Sequence, residues 1–115
     1  MSNSKRIGVR FYRTATGQEP VREWLRTLSP DDRRIIGTDI KTVEYGWPIG
    51  MPTCRSLGGG LWEVRSHISD GRIARVLFCV DDGDMYLLTR FIKKTRKTPT
   101  DEIERARARM KELGL

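Results

Sequence analysis

The chain has 115 residues, of which 37% are hydrophobic and 32% charged, and its net charge is +7 at pH 7. This length fits a single domain, which we take as residues 1–115, with enough apolar content for a modest core. No apolar run approaches the roughly 20 residues of a membrane span, and residues 1–6 are too polar for a signal peptide. We therefore expect a cytoplasmic protein with no membrane partner, and the positive charge indicates a polyanionic partner.

Residues that bind metals are scarce in this chain. It contains two cysteines, Cys54 and Cys79, and a single histidine, His67. A tetrahedral zinc site needs more of these ligands at closer spacing. We expect two buried thiols in a reducing compartment and neither a metal nor a small-molecule cofactor.

The first half of the chain predicts one strand and two helices. Apolar residues alternate in residues 6–12, which is typical of a strand. Pro20 suits the first position of an amphipathic helix, Ser29 suits the N-cap of a second one, and Gly46 suits its end. The short connection between the two helices predicts a helical hairpin.

The second half predicts a sheet and a final helix. Strand-like segments lie at residues 54–57, 61–66, 72–80 and 85–92, joined by turns rich in glycine and aspartate. Thr98 is the predicted N-cap of the closing helix. The expected fold class is α+β: a mostly antiparallel sheet of four to five strands, with the N-terminal helical hairpin and a C-terminal helix.

The segment from residue 61 to residue 67 has polar side chains on one face. Because neighbouring side chains on a strand alternate between faces, Trp62 and Val64 point into one layer and Glu63, Arg65 and His67 point to the other. An ordinary solvated strand face explains this pattern equally well. The pattern alone does not choose between a site and a solvated face.

The next strand carries Arg75 in an apolar run. A charge inside a buried strand is costly unless it is paired or faces a site. One explanation is a salt bridge to Glu63. The other is that Arg75 lines a groove, where its guanidinium group can donate hydrogen bonds to phosphate. On the second interpretation, Arg75→Ala abolishes activity while the protein stays folded and still binds its partner.

Five cations crowd residues 90–98: Arg90, Lys93, Lys94, Arg96 and Lys97. Runs of charge are often only solvated. In a meander, however, the ends of neighbouring strands meet, so we expect the first lysines of this run to lie near Arg65 and Arg75. The predicted concave basic site consists of Arg65, Arg75, Lys93 and Lys94.

Such a site suits RNA cleavage without metal, since RNA carries its own nucleophile in the 2′-hydroxyl group. Fixed cations would stabilise the pentavalent phosphorane. Glu63 or His67 is the candidate base or acid, and Lys93 or Lys94 is the candidate donor to the leaving oxygen. Other cations of these segments are assigned to RNA binding: Arg55, Arg72, Arg90, Arg96 and Lys97.

Three segments resemble the HigB-type, phage-derived branch of the RelE/ParE toxin superfamily: residues 55–65, 72–78 and 88–99. The sequences Leu-Trp-Glu-Val-Arg and Phe-Ile-Lys-Lys-Thr carry the resemblance. It implies a RelE-like fold and the toxin of a type II toxin–antitoxin system. Such a toxin cuts mRNA on the ribosome without metal and is neutralised by a helix-turn-helix antitoxin. The resemblance also places Arg65 and Arg75 at phosphate-contacting or catalytic positions, with Lys93 and Lys94 at a further basic position.

Two other classes of function stay open. One is a ParE-like toxin that poisons gyrase and has no nuclease chemistry. The other is a non-catalytic nucleic-acid-binding module, such as a prophage remnant. The basic residues on the sheet favour the endoribonuclease.

Overall fold

The computed structural model describes residues 4–93 and 98–115, which contain five strands and three α-helices. Each predicted element is present within a few residues of its expected bounds, so the α+β class is confirmed. The strands are β1 (Gly8–Phe11), β2 (Cys54–Gly58), β3 (Leu61–His67), β4 (Ile73–Asp81) and β5 (Asp84–Lys93), and the helices are α1 (Pro20–Thr27), α2 (Pro30–Gly46) and α3 (Thr100–Glu112).

The five strands form one mixed sheet in the order β1-β5-β4-β3-β2. The predicted antiparallel meander runs from β2 to β5. In contrast, β1 pairs parallel with β5, with Val9 opposite Met85. The long connection through α1 and α2 carries the chain to the far edge of the sheet, and the meander then returns to β1. A connection of this length permits a parallel pair, which a short turn does not.

Local signals set the ends of the first two helices. Pro20 is the first residue of α1. The Ser29 side chain accepts a hydrogen bond of 3.2 Å from the backbone N–H of Asp32, and α2 ends at Gly46. These three predictions are confirmed, since each depends only on the chemistry of a cap or a helix terminus. The antiparallel arrangement of the two helices stays a prediction.

Helices cover both faces of the sheet. On one face, apolar residues of α1 and α2 pack against the strands, and Trp47 contacts Trp62 and Phe78 edge-on at ring distances of 5.0 and 5.7 Å. On the other face, Ala106 of α3 packs against buried strand residues such as Leu77. A side chain on either face can therefore be buried, which alternation alone does not predict.

The two cysteines are free and buried, as expected. Burial raises the pKa of the Cys54 thiol to about 12 and that of Cys79 to about 11. Both thiols therefore stay protonated at neutral pH and pack as small apolar groups. None of the helices in the described residues is long and apolar enough to cross a membrane.

Candidate nucleic-acid interface

The register of the sheet brings the predicted basic residues together on the α3 face. Arg65 of β3 lies directly opposite Arg75 of β4, and Arg75 lies opposite Phe91 of β5. Two residues further along the strands, Ile73 lies between His67 and Lys93. The register therefore places Arg65, Arg75, His67 and Lys93 on one face of neighbouring strands, and their action as one site stays a prediction.

Glu63 is the centre of this arrangement. The glutamate is fully buried, and its Oε1 lies 4.0 Å from Arg75 Nε and 3.9 Å from Arg65 Nε. Its Oε2 accepts a hydrogen bond of 2.6 Å from Thr98 Oγ1. We call Glu63, Arg65, Arg75 and Thr98 the Glu63 cluster. Two cations and a hydroxyl group surround one carboxylate, and such pairing offsets part of the cost of burying charged groups.

The groove position predicted for Arg75 is wrong, because Arg75 is completely buried. Its guanidinium carbon lies 5.5 Å from the centre of the Phe91 ring. Burial lowers the pKa of Arg75, while the charge of Glu63 opposes that shift. The salt-bridge explanation thus matches the observed geometry. With no exposed surface, the Arg75 side chain does not present its guanidinium to a phosphate group.

Thr98 does not cap α3, contrary to the prediction. Pro99 occupies the N-cap position and makes no side-chain cap hydrogen bond. The Thr98 hydroxyl turns inward to the buried Glu63 carboxylate instead. A hydrogen bond to an ionised acceptor is about twice as strong as a neutral one, so the carboxylate competes well against the helix terminus. Thr98 therefore ties the start of α3 to the charged centre.

Arg65 is the guanidinium of the cluster that solvent reaches. Its side chain is 13% exposed, against 0% for Arg75 and Glu63. Around it lie three exposed residues on the same face, which we call the outer residues: Arg55, His67 and Lys93. Arg55 lies opposite Glu63 in the register. An anion that approaches this face meets Arg65 and the outer residues, while Glu63 is too deeply buried to exchange protons with it directly.

Two of the predicted RNA-binding residues lie away from the Glu63 cluster. Arg90 is on the opposite face of β5, where its guanidinium lies 5.8 Å from the centre of the Trp24 ring. Arg72 Nη2 forms an ion pair of 3.0 Å with Asp32 Oδ2. Strand parity and a local acid thus direct these two side chains away from the Glu63 cluster, and their assignment to RNA binding stays a prediction. Three further candidates lie outside the described residues: Lys94, Arg96 and Lys97.

The Asp32 carboxylate leads to a prediction on pH dependence. The backbone N–H of Ser69 donates to it, and this bond, followed by the Ser69 hydroxyl and the Arg72 charge, lowers the pKa of Asp32 against the cost of burial. Because the pKa of Asp32 is lower in the folded protein than in the unfolded chain, the Asp32 carboxylate stabilises the fold at pH values above its unfolded-state pKa of about 4. This stabilisation is lost as the pH falls through the pKa of Asp32 in the folded protein. We expect Asp32→Asn to unfold at lower urea concentration than the wild type at pH 7. The difference should shrink as the pH falls below about 4; an equal difference at both pH values would contradict this role.

Sequence reasoning missed the contributions of Thr98 and Phe91. The sequence could have indicated the position of Phe91. When β4 pairs with β5, Phe91 lies opposite Arg75, and the two side chains point to the same face of the sheet. The signal for Thr98 was hidden, because its contact with Glu63 spans 35 residues along the chain. Among the described residues, no group of three or more His, Cys, Asp or Glu side chains could hold a metal ion.

The fold and the site define a small α+β protein with a mixed sheet between helical layers and a cationic patch on one face. Residues 23–111 match the sequence model of a protein family that is described as phage-derived protein Gp49-like (DUF891). This match covers more than three quarters of the chain, so the chain belongs to that family. No curated protein matches the chain.

Proposed function

We propose that this protein is the toxin of a type II toxin–antitoxin system and that it cleaves mRNA on the ribosome. Membership of a phage-derived family supports a role of this kind, as does the net charge of +7. The proposal includes a RelE-like fold with a helical hairpin formed by α1 and α2. It also includes a cytoplasmic location and a helix-turn-helix antitoxin that covers the cationic face.

The observation that carries the proposal is the position of Arg65 at the solvent boundary of the Glu63 cluster. Its Nε lies 3.9 Å from a buried carboxylate that also holds Arg75. Arg65 Nε makes no hydrogen bond among the described residues, so the buried carboxylate orients this guanidinium through its charge and leaves its donors available to an anion. Such preorganisation is how enzymes stabilise charge that develops in a transition state.

The proposed reaction uses the 2′-hydroxyl of the RNA. The 2′-oxygen attacks the adjacent phosphorus and loses its proton, and the bond from phosphorus to the 5′-oxygen breaks as that oxygen takes up a proton. Arg65 stabilises the charge on the phosphorane. The exposed His67 and Lys93 are the described candidates for the two proton transfers, and Lys94 is a further candidate.

Glu63 and Arg75 have a different role from the one that the sequence indicated. Both are fully buried, so neither side chain is exposed to a substrate that approaches this face. In our proposal they are positioning residues that hold Arg65 at the surface. Glu63 is therefore not proposed as the general base, and Arg75 is not proposed as a direct phosphate ligand.

The test is a pulse of expression in a sensitive bacterium, followed by mapping of new mRNA 5′ ends. We expect cuts that keep the reading frame and disappear when translation initiation is blocked. Intact mRNA together with trapped, cleaved DNA would replace the proposal with a gyrase poison. Full growth and intact mRNA would leave a non-catalytic binding protein. An adjacent gene for a small helix-turn-helix protein would support the partner.

A further inference from the structure

A second cationic site lies at the edge of the sheet, away from the Glu63 cluster. The pairing between β1 and β5 ends at Leu87, and beyond this point a pocket of about 170 Å³ opens between the edge of β5 and the neighbouring helices. Its volume equals that of about five or six water molecules. The pocket is lined by Pro20, Thr89, Arg90, Glu102, Arg105 and Arg109.

Aromatic rings hold two of its three guanidinium groups. The Arg109 guanidinium lies 4.7 Å from the centre of the Tyr12 ring and donates a hydrogen bond of 2.6 Å to the Leu88 carbonyl oxygen. The Arg90 guanidinium packs on the Trp24 ring. Stacking of this kind restricts long side chains before a ligand arrives, which reduces the entropy lost on binding.

The charges of the pocket are out of balance. Of the described residues that line the pocket, Glu102 is the one acid, and its Oε1 accepts a hydrogen bond of 2.6 Å from Arg105 Nη1. Arg90 and Arg109 therefore retain their positive charge without an acid in the pocket. Burial lowers the pKa of Arg109 most; the charges of Arg105 and Arg90 add to this shift, while Tyr12 and Glu112, which lie outside the pocket lining, oppose it. Because arginine stays protonated, an anion is the group that relieves this repulsion.

Two buried polar atoms at the pocket have no hydrogen-bond partner among the described residues. They are Thr89 Oγ1 and Arg90 Nε. Thr89 is only 1% exposed. Buried polar atoms without a partner are uncommon in proteins and call for a ligand, ion or water to satisfy them. These atoms belong to two adjacent residues that line the cationic pocket.

We propose that this pocket binds a phosphomonoester group. The planar guanidinium groups can each donate two parallel hydrogen bonds to phosphate oxygens. Three arginines and one glutamate give the pocket lining a net charge of +2, which is opposite to the charge of roughly −1.5 to −2 on a phosphomonoester at pH 7. The small volume admits the phosphate group and leaves a base or sugar outside. The phosphate belongs either to the end of a nucleic acid or to a small phosphorylated molecule.

The test is an NMR titration of the full chain with inorganic phosphate, repeated with acetate at equal ionic strength. We expect phosphate to shift the resonances of Thr89, Arg90, Arg105 and Arg109. Arg105→Gln should weaken phosphate binding about tenfold, the effect of one lost charge-assisted hydrogen bond. The matched control is Arg34→Gln, which also removes an arginine from an i,i+3 ion pair, but on the exposed face of α2.

Two oligonucleotides of one sequence, with a 5′-phosphate or a 5′-hydroxyl, identify the source of the phosphate. Tighter binding of the phosphorylated one assigns the pocket to nucleic-acid ends, and equal binding assigns it to a small phosphorylated molecule. Equal shifts with acetate and phosphate would overturn the proposal. Equal losses in Arg105→Gln and Arg34→Gln would also overturn it, because they would reflect net charge alone. These measurements need no ribosome, so they are independent of mRNA cleavage.

Discussion

Glu63→Gln is expected to lower the free energy of unfolding by about 3–5 kcal/mol, the usual cost of removing one partner from a buried ion pair. Glutamine keeps the shape of the side chain and can still accept the hydrogen bond from Thr98. The change therefore removes mainly the charge that compensates Arg75 and Arg65. The measurement is urea denaturation at pH 7, followed by circular dichroism.

The matched control is Asp31→Asn, which also turns an acid into its amide. Asp31 forms an ion pair of 2.9 Å with Arg34, but its side chain is 81% exposed. We expect a change of no more than about 1 kcal/mol there, because solvent screens exposed pairs. A loss in Glu63→Gln no larger than that of the control would show that the buried carboxylate does not stabilise the fold.

Arg65→Gln is expected to slow mRNA cleavage by about 10²–10³-fold, the typical effect of removing one preorganised group that stabilises the transition state. The fold should survive, because Arg75 stays beside Glu63 as its cation. The measurement is the rate at which new 5′ ends accumulate after induction, with soluble protein levels matched between variants. This prediction depends on the proposed endoribonuclease function.

Arg55→Gln is the matched control for Arg65. Arg55 lies on the same face, opposite Glu63, and it is exposed. Removing its charge should weaken RNA association modestly and change the rate less than tenfold, as expected for one exposed phosphate contact. Equal losses in the two variants would mean that the face acts through total charge. An unchanged rate in Arg65→Gln would remove Arg65 from the mechanism.

The structure also reverses the expectation for Arg75. From sequence, Arg75→Ala was a variant that stays folded and loses activity. In the structure Arg75 is fully buried beside Glu63 and Phe91, so its removal leaves a cavity and weakens the compensation of a buried carboxylate. A loss of toxicity in that variant would follow from unfolding as readily as from chemistry. Arg65 is the better probe, because it is partly exposed.

Local sequence determined most of the secondary structure of this protein. The proline at the start of α1, the serine cap of α2 and the glycine-rich turns each act within a few residues. Strand periodicity also placed Glu63, Arg65 and His67 on one face, and hairpin pairing placed Arg65 next to Arg75. These features depend on short-range sterics and hydrogen bonds, which the sequence of a segment carries by itself.

Only the tertiary structure decided which of these side chains are buried. The alternation of side chains along a strand assigns each residue to one face of the sheet. Whether that face is exposed to solvent depends on where α3 packs. The packing of α3 on the sheet joins residues that are distant in sequence. For this reason Glu63 and Arg75 are interior, and Thr98 bonds across 35 residues to a carboxylate. The cationic face predicted from sequence is thus a buried ion-pair centre with Arg65 at its boundary. The second cationic pocket exists because the pairing of β1 with β5 ends at Leu87.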